Sequence, residues 1–193
     1  KKIGTILNLT PAYPASDSPK DQAAAEFAEL WANKMFLEPA VLGHYPQKLV
    51  EILERDGVLW EQTPAELQLL KEQTVDVLGV NFYHPFRVKA PAVSPASLQP
   101  WMPDIYFDEY EMPGRVMNVD KGWEIYPKAL YDIAVNIRDN YNNIEWFVSE
   151  NGMGVSSEER FMDKNGVVCD DYRIEYLKKH LKALHRGIKA GSN

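Results

Sequence analysis

The stretch Trp146-Phe147-Val148-Ser149-Glu150-Asn151-Gly152 decides how this chain folds. Its apolar residues are consecutive and do not alternate with polar ones, and this pattern predicts a parallel strand that is buried on both faces. Asn-Gly then predicts an abrupt turn, because both residues tolerate positive φ. The carboxylate of Glu150 is therefore placed at the end of the strand, at the sheet edge where ligands bind in α/β folds. Glu150 is the first candidate site residue, and the alternative is a strand-end acid that is solvated or paired with an arginine.

Composition excludes several classes of protein. The chain has 193 residues, 45% hydrophobic and 25% charged, which fits one globular unit over residues 1–193. A net charge of −7 and a pI near 5.2 argue against nucleic-acid or anionic-membrane partners. The single cysteine, Cys169, rules out an internal disulfide and suits a reducing compartment, so we expect a cytoplasmic location. No apolar run approaches the roughly 18 residues that cross a bilayer, and the opening Lys1, without a methionine, suggests a segment of something longer.

The first part of the chain predicts a strand followed by a helix. Residues 3–9 form a short apolar strand, which Pro11 and Pro14 end by starting a loop. Ser18 followed by Pro19 is a good helix start, an N-cap before a first-turn proline. We expect Leu37-Glu38-Pro39 to break this helix.

The next segment predicts two further helices. Gly43-His44-Tyr45-Pro46 reads as a loop in which His44 is either catalytic or only hydrogen-bonded. Residues 46–55 predict a second helix. Thr63-Pro64-Ala65-Glu66 is a capping box that starts a third helix.

A second buried strand is predicted over residues 75–83. Asn81 and Tyr83 alternate with Phe82 near its end, so these two polar side chains share one face of the sheet. Both are candidate site residues because the strand ends there.

Residues 84–124 show little periodicity, and we expect an irregular segment. A loop of that length inside a compact domain usually builds a binding site or a lid. Aromatic rings offer stacking surfaces for the C–H faces of a sugar, although they equally well pack a loop onto the protein. The prolines and aromatics concerned are Pro91, Pro95, Pro100, Trp101, Pro103, Tyr106, Phe107, Tyr110 and Pro113.

Two helices complete the pattern, one over residues 127–141 and one that follows Asp170 as N-cap and ends near Gly191. The apolar stripe of the second is Ile174, Leu177, Leu181, Leu184 and Ile188. Strands that alternate with helices predict a parallel sheet with right-handed crossovers. The sequence has no G-x-G-x-x-G, no phosphate-binding loop and no His/Cys cluster at metal spacing, so we expect no cofactor and no metal.

Several of these stretches resemble one enzyme family. Residues 147–152 resemble the nucleophile motif of glycoside hydrolase family 1, whose members are (β/α)8 barrels and retaining β-glycosidases. Residues 76–83 resemble its strand D-x-L-G-x-N-Y-Y, with Phe82 in place of the first tyrosine. Residues 43–46 and 122–127 resemble two further blocks in the right order. Residues 84–88 and 101–117 look most like the bacterial 6-phospho-β-glucosidases within the family.

The resemblance implies an α/β fold that is part of a TIM barrel. Such a barrel has eight strands in about 250 residues or more, so residues 1–193 would hold strands five, six and seven with their helices, in the C-terminal half of the catalytic domain. The family's acid/base glutamate on strand four would then lie outside the chain. The same holds for its sugar-binding Gln, His and Glu and for the loop that grips a sugar phosphate.

The resemblance also implies roles for individual residues. Glu150 would be the nucleophile, and Tyr83 would donate its hydroxyl to the Glu150 carboxylate to hold it in line. Asn81 would orient groups nearby, while His84 and Trp101 would contact the substrate. The expected substrate is a β-glucoside or 6-phospho-β-glucoside.

Other interpretations stay open at this point. The chain could belong to a β-glucosidase or β-galactosidase for unphosphorylated sugars, or to a sugar-binding barrel that has lost its chemistry. A self-standing α/β domain with an interaction role is disfavoured, because a three-stranded sheet leaves its edges bare. We expect residues 1–193 alone to be inactive, with the edges covered by a second copy in a homo-oligomer or by further chain.

Overall fold

The computed structural model describes residues 1–93 and 100–193; Pro95, in the predicted irregular segment, lies outside them. The helices are α1 (Pro19–Glu29), α2 (Met35–Leu42), α3 (Gln47–Arg55), α4 (Pro64–Glu72), α5 (Lys128–Asn140) and α6 (Asp171–Lys189). The strands are β1 (Gly4–Asn8), β2 (Ala12–Pro14), β3 (Val77–Asn81), β4 (Phe86–Lys89), β5 (Asp108–Glu109), β6 (Met117–Asn118), β7 (Trp123–Glu124) and β8 (Trp146–Glu150). A π-helical segment covers Leu30–Lys34, and 3-10 turns cover Pro103–Tyr106 and Glu158–Phe161.

The main sheet has three strands in the order β1-β3-β8, and both pairs are parallel. Its strands alternate with helices along the chain, so the predicted parallel α/β arrangement is confirmed. A second sheet, β2-β4-β5, and a hairpin, β6-β7, lie beside it. The carboxyl ends of β1, β3 and β8 meet at one edge because all three strands run the same way.

The two faces of the main sheet are different. On one face, Leu78, Val80 and Phe82 are completely buried in a core shared with α2, α5 and α6. On the other face, Ile6 and Phe147 are half-exposed, at 56% and 50%. Between them a Cβ on Gly79 would lie 2.7 Å from Ile6 Cγ1, so only glycine fits. An apolar second face with side chains this close is the inner face of a barrel wall.

The sequence predicted that the first helix would break at Pro39, but Pro39 lies inside α2 and the helix continues. It continues from α1 through the π-helical segment into α2, and it ends at Gly43 with φ +74°. A proline ring inside a helix clashes with the carbonyl four residues earlier, which here belongs to Met35. The pitch of the helix changes at Met35, where ψ is −17°, so the ring is accommodated.

Two other predicted loops contain short strands. Pro11 and Pro14 do end β1, but residues 12–14 then pair in parallel with β4 instead of forming a loop. Residues 84–124 contain β4, β5, β6 and β7, each two to four residues long. Strands of this length are too short to show a period of two, so hydrophobic periodicity does not predict them.

The apolar stripe predicted for α6 faces outward. Leu181 is 62% exposed, and Ile174, Leu177 and Ile188 are also exposed, whereas Leu184 is partly buried against the core. The face of α6 that packs on α5 carries Tyr176, His180, Ala183 and Gly187 instead. The stripe lines one side of an apolar groove of about 630 Å³ whose other side is β8. Asp170 begins the helix as predicted, but its carboxylate accepts from Arg173 Nη1 at 2.8 Å and does not cap the backbone.

In the part of the chain that the structure describes, no helix combines the length and apolar character needed to cross a membrane.

Candidate functional site

The carboxyl ends of β3 and β8 bring Tyr83 and Glu150 together. The Tyr83 hydroxyl donates a hydrogen bond to Oε2 of Glu150, and the Phe82 N–H donates to the Glu150 carbonyl at 2.9 Å. The hydrogen bond to Glu150, with a smaller contribution from burial, raises the pKa of the Tyr83 hydroxyl above its usual range. Tyr83 therefore stays a proton donor to Glu150 throughout the neutral range.

A shift in strand register aims the Glu150 side chain. Val80 pairs with Val148, but the next residue of β3, Asn81, pairs with Glu150, so Ser149 is one residue extra. With strict alternation from the inner-face residue Phe147, Glu150 would point toward the helices. Bulges of this kind re-aim side chains next to active sites, and here the carboxylate turns toward Tyr83.

A polar layer of three side chains lies beneath this pair. Ser149 Oγ donates to Asn81 Oδ1 at 2.7 Å, and Asn81 Nδ2 donates to Asn8 Oδ1 at 2.8 Å. Each residue comes from a different strand, so the layer ties β1, β3 and β8 together at their carboxyl ends. Asn81 thus reaches the site through Ser149, the residue next to Glu150.

The side chain of Asn151 holds the turn after Glu150, whereas the sequence indicated only that Asn151 favours a turn. Asn151 Nδ2 donates to the Phe82 carbonyl at 2.7 Å and to the Tyr176 hydroxyl at 3.1 Å. The Tyr176 hydroxyl donates in turn to the Tyr83 carbonyl at 3.3 Å. Burial raises the pKa of Tyr176 to about 12. Tyr176 lies off the apolar stripe of α6, which is why periodicity alone did not select it.

Glu150 and Tyr83 open onto a cleft of about 660 Å³ with one aromatic wall. The Trp123 ring lies 5.3 Å from the Tyr83 ring and stacks on His84 at 5.1 Å, with 28° between the planes. Lys121 also lines the cleft. The structure therefore brings His84 to the rim through Trp123. Trp123 is not among the site residues predicted from the sequence, although it lies in the recurrent block 122–127.

Two other sequence candidates are not brought to Glu150. The Trp101 indole N–H donates to Asp56 Oδ2 at 2.9 Å, and its ring packs edge-on against Trp31 at 5.6 Å. His44 follows α2 beside α4, at the amino ends of the strands, and its Nδ1 lies 3.2 Å from the Tyr45 carbonyl. His44 is therefore a hydrogen-bonded loop residue.

Across residues 1–93 and 100–193, no group of three or more His, Cys, Asp or Glu side chains is arranged to hold a metal ion. The polar side-chain groups that line the cleft are one carboxylate, one phenol, one ammonium group, one indole N–H, one hydroxyl and one amide. Such a set can attack, orient and hydrogen-bond a polyhydroxylated ligand.

A carboxylate aligned by a phenol, at the carboxyl edge of a barrel-type parallel sheet and beside an aromatic wall, is an arrangement that fits one half of a glycoside hydrolase site. The profile of Glycosyl hydrolase family 1 matches residues 1–193. The chain belongs to this family. It is 54% identical over 192 residues to the 6-phospho-beta-glucosidase GmuD of Bacillus subtilis, across all of this chain and 41% of that protein. It is 31% identical over 192 residues to beta-glucosidase A of Acetivibrio thermocellus, across all of this chain and 40% of that protein.

Solved structures agree with the family assignment. The AHE enzyme of Alicyclobacillus herbarius superimposes with a TM-score of 0.81 at 31% identity, over 99% of this chain and 39% of that one. The family 1 β-glucosidase of Thermotoga maritima gives a TM-score of 0.77 at 29% identity, over 99% of this chain and 39% of that one. The chain thus spans about two fifths of the relatives that it matches. The fold is a partial (β/α)8 barrel, and the three main strands are part of its wall.

Proposed function

We propose that residues 1–193 supply the nucleophile side of the active site in a complete family 1 barrel that hydrolyses β-glycosides with retention of configuration. The observation that carries this proposal is the Tyr83–Glu150 pair at the carboxyl ends of β3 and β8. A complete barrel that contains these residues is called the complete enzyme below. A cytoplasmic location and homo-oligomer formation stay predictions.

In this mechanism Glu150 attacks the anomeric carbon while the bond to the aglycone oxygen breaks. A glutamic acid from elsewhere in the barrel protonates the leaving oxygen, and a covalent glycosyl-enzyme results. In the second step this acid/base glutamate takes a proton from water. The water oxygen attacks the anomeric carbon, displaces Glu150 and restores the starting configuration. Because Tyr83 holds Oε2, the other carboxylate oxygen is the one that attacks.

Support for a phosphorylated substrate comes from the relatives. The relative at 54% identity is described as a 6-phospho-beta-glucosidase, and the relative at 31% as a beta-glucosidase. We therefore propose 6-phospho-β-glucosides as the substrate class, with unphosphorylated β-glucosides as the second candidate. A barrel that binds sugars without cleaving them is a third candidate, and the same assays exclude it once turnover is seen.

The substrate class is tested with the complete enzyme on a chromogenic β-glucoside, with and without a 6-phosphate. A buried charge-assisted contact to the phosphate is worth about 1.5–3 kcal/mol, so we expect kcat/KM to be roughly 10- to 100-fold higher for the phosphorylated compound. The matching pair of β-galactosides is the control for the sugar. Equal kcat/KM values for the two glucosides would reject the phosphorylated class while leaving hydrolysis intact.

Replacing Tyr83 by phenylalanine removes only the hydroxyl that aligns Glu150. A hydrogen bond to a charged group is worth about 1.5–3 kcal/mol, so kcat/KM of the complete enzyme should fall roughly 10- to 100-fold. Because the pKa of Tyr83 is raised, the wild-type enzyme should not lose this donor before the pH exceeds the ordinary tyrosine range. The control is Tyr45→Phe, which changes a tyrosine at the amino ends of the strands. An unchanged kcat/KM in Tyr83→Phe would remove the phenol from the mechanism.

A further inference from the structure

The hairpin of β6 and β7, residues 117–124, forms the rim of the cleft and is called the rim hairpin. It carries Trp123, whose ring is the aromatic wall beside Tyr83 and His84. The hairpin has only two residues in each strand, and two-stranded ribbons of this size are not stable by themselves. Contacts with other segments must therefore hold Trp123 in place.

One of these contacts is an ion pair inside the protein. Arg87, on β4, donates from Nε to Glu124 Oε2 at 2.9 Å and from Nη2 to Oε1 at 2.8 Å. The two side chains are only 9% and 4% exposed. The guanidinium also lies beside two phenol rings that meet edge-on, 4.8 Å from the Tyr13 centroid and 4.5 Å from that of Tyr126. Glu124 is thus fixed by a bidentate fork that a lysine could not reproduce.

The opposite side of the rim hairpin is tied to the turn after Glu150. Asn118 is buried and donates from Nδ2 to the Gly154 carbonyl at 2.9 Å. Asp120 accepts a hydrogen bond from Ser156 Oγ at 2.9 Å. The hairpin therefore bridges β4 and the loop that follows the nucleophile, and Trp123 lies between the two attachments.

We propose that Arg87 is a positioning residue that fixes Trp123, through Glu124, as the wall against which the leaving aglycone packs. The proposal rests on the proposed function. Both nitrogens of Arg87 that donate hydrogen bonds do so to Glu124, so we expect its effect to pass through the rim hairpin. Glu124 follows Trp123 directly, and a rotation of its backbone would tilt the Trp123 ring away from Tyr83.

The two steps of the reaction should respond differently to a change at Arg87. The aglycone is in the site while the glycosyl-enzyme forms, but it has left before water attacks. A displaced Trp123 should therefore slow formation of the glycosyl-enzyme and leave its hydrolysis almost unchanged. Damage to Glu150, to Tyr83 or to the fold would slow both steps.

The experiment compares Arg87→Lys and Arg87→Met in the complete enzyme. We expect kcat/KM for a substrate with a glucose aglycone to fall about 10-fold or more, since small displacements near a site can cost up to roughly 100-fold. The rate of glycosyl-enzyme hydrolysis, measured on an activated aryl glycoside, should stay within about twofold. Arg87→Lys keeps the charge, and it carries the test if Arg87→Met does not fold. Val88→Ala, a buried neighbour on β4 that packs on the opposite side, controls for loss of stability and should leave both rates unchanged.

A double-mutant cycle with Trp123→Ala tests the route of the effect. If Arg87 acts through Trp123, Arg87→Lys should cost little more once Trp123 is alanine. Three results would each overturn the inference. They are additive losses of kcat/KM in the double variant, equal slowing of both reaction steps in Arg87→Lys, and an unchanged kcat/KM in the Arg87 variants. A wild-type complete enzyme without turnover would instead reject the proposed function, so the two failures are distinguishable.

Discussion

Glu150→Gln should abolish hydrolysis by the complete enzyme. An amide oxygen is too weak a nucleophile to displace an aglycone, and the variant also loses the anion that accepts from Tyr83. Removing the nucleophile of an enzyme that forms a covalent intermediate costs on the order of 10⁴- to 10⁶-fold in kcat. The measurement is release of a chromogenic leaving group at saturating substrate, with far-UV circular dichroism to show that the variant is folded.

Two additional variants separate loss of the nucleophile from loss of structure. Glu145→Gln makes the same change directly before the first residue of β8, where the acid pairs with Lys2 on the surface, and it should be nearly neutral. Glu150→Ala leaves space for a small external nucleophile, so added azide should restore bond cleavage and give a glycosyl azide of inverted configuration. Retained turnover in Glu150→Gln would remove Glu150 from the mechanism.

The sequence predicted the elements whose signals are local. Ser18 accepts from the Asp21 N–H at 3.2 Å, and Thr63 and Glu66 form the predicted capping box. These motifs lie within four residues, so no distant part of the chain is needed to read them. The apolar runs that became β1, β3 and β8 were equally clear, because strands buried on the helix side have few polar residues.

Features that depend on distant contacts were not predictable. The π-helical segment before Pro39 contains Asn33, whose side chain bonds both the N–H and the carbonyl of Thr10 after β1. Likewise, the sequence does not predict that the apolar stripe of α6 faces outward. Apolar periodicity identifies a helix face that packs against something, but it does not identify the partner. Its buried face uses small and polar residues such as Ala183 and His180.

For the candidate site, the sequence names a pair of residues that the structure brings into contact, but it does not predict the geometry of that contact. Glu150 and Tyr83 were linked by the family resemblance, whereas the extra residue Ser149 that aims the carboxylate was not foreseen. The sequence names Trp101 as a candidate and not Trp123, although both lie in residues 84–124 and nothing in the composition separates them. The two residues differ in position. The Trp101 N–H donates to Asp56, away from Glu150, whereas Trp123 lies on the rim hairpin beside Tyr83.

Residues 1–193 by themselves should not hydrolyse β-glycosides. Retaining hydrolysis needs two carboxyl groups about 5–5.5 Å apart. Among the described residues that line the cleft, Glu150 is the only acid; the others are Tyr83, Lys121, Trp123, Ser149, Asn151, Gly152, Met153 and Gly154. A nucleophile alone cannot protonate the leaving oxygen, so the aglycone would have to depart as an alkoxide.

The inner face of the sheet gives a second reason for inactivity. Phe147 is half-exposed and Ile6 more so, so the face that would pack into the interior of a complete barrel is open to water and gives the site no packed support. We expect the purified 193-residue chain to release no chromophore above the buffer rate, under conditions in which the complete enzyme at equal molarity turns over. The Glu150→Gln form of the isolated chain identifies any contaminating glycosidase, because contaminant activity would persist in it. Turnover by the isolated chain that disappears with Glu150→Gln would show that these residues contain a complete acid and nucleophile pair, contrary to the proposed division of the active site.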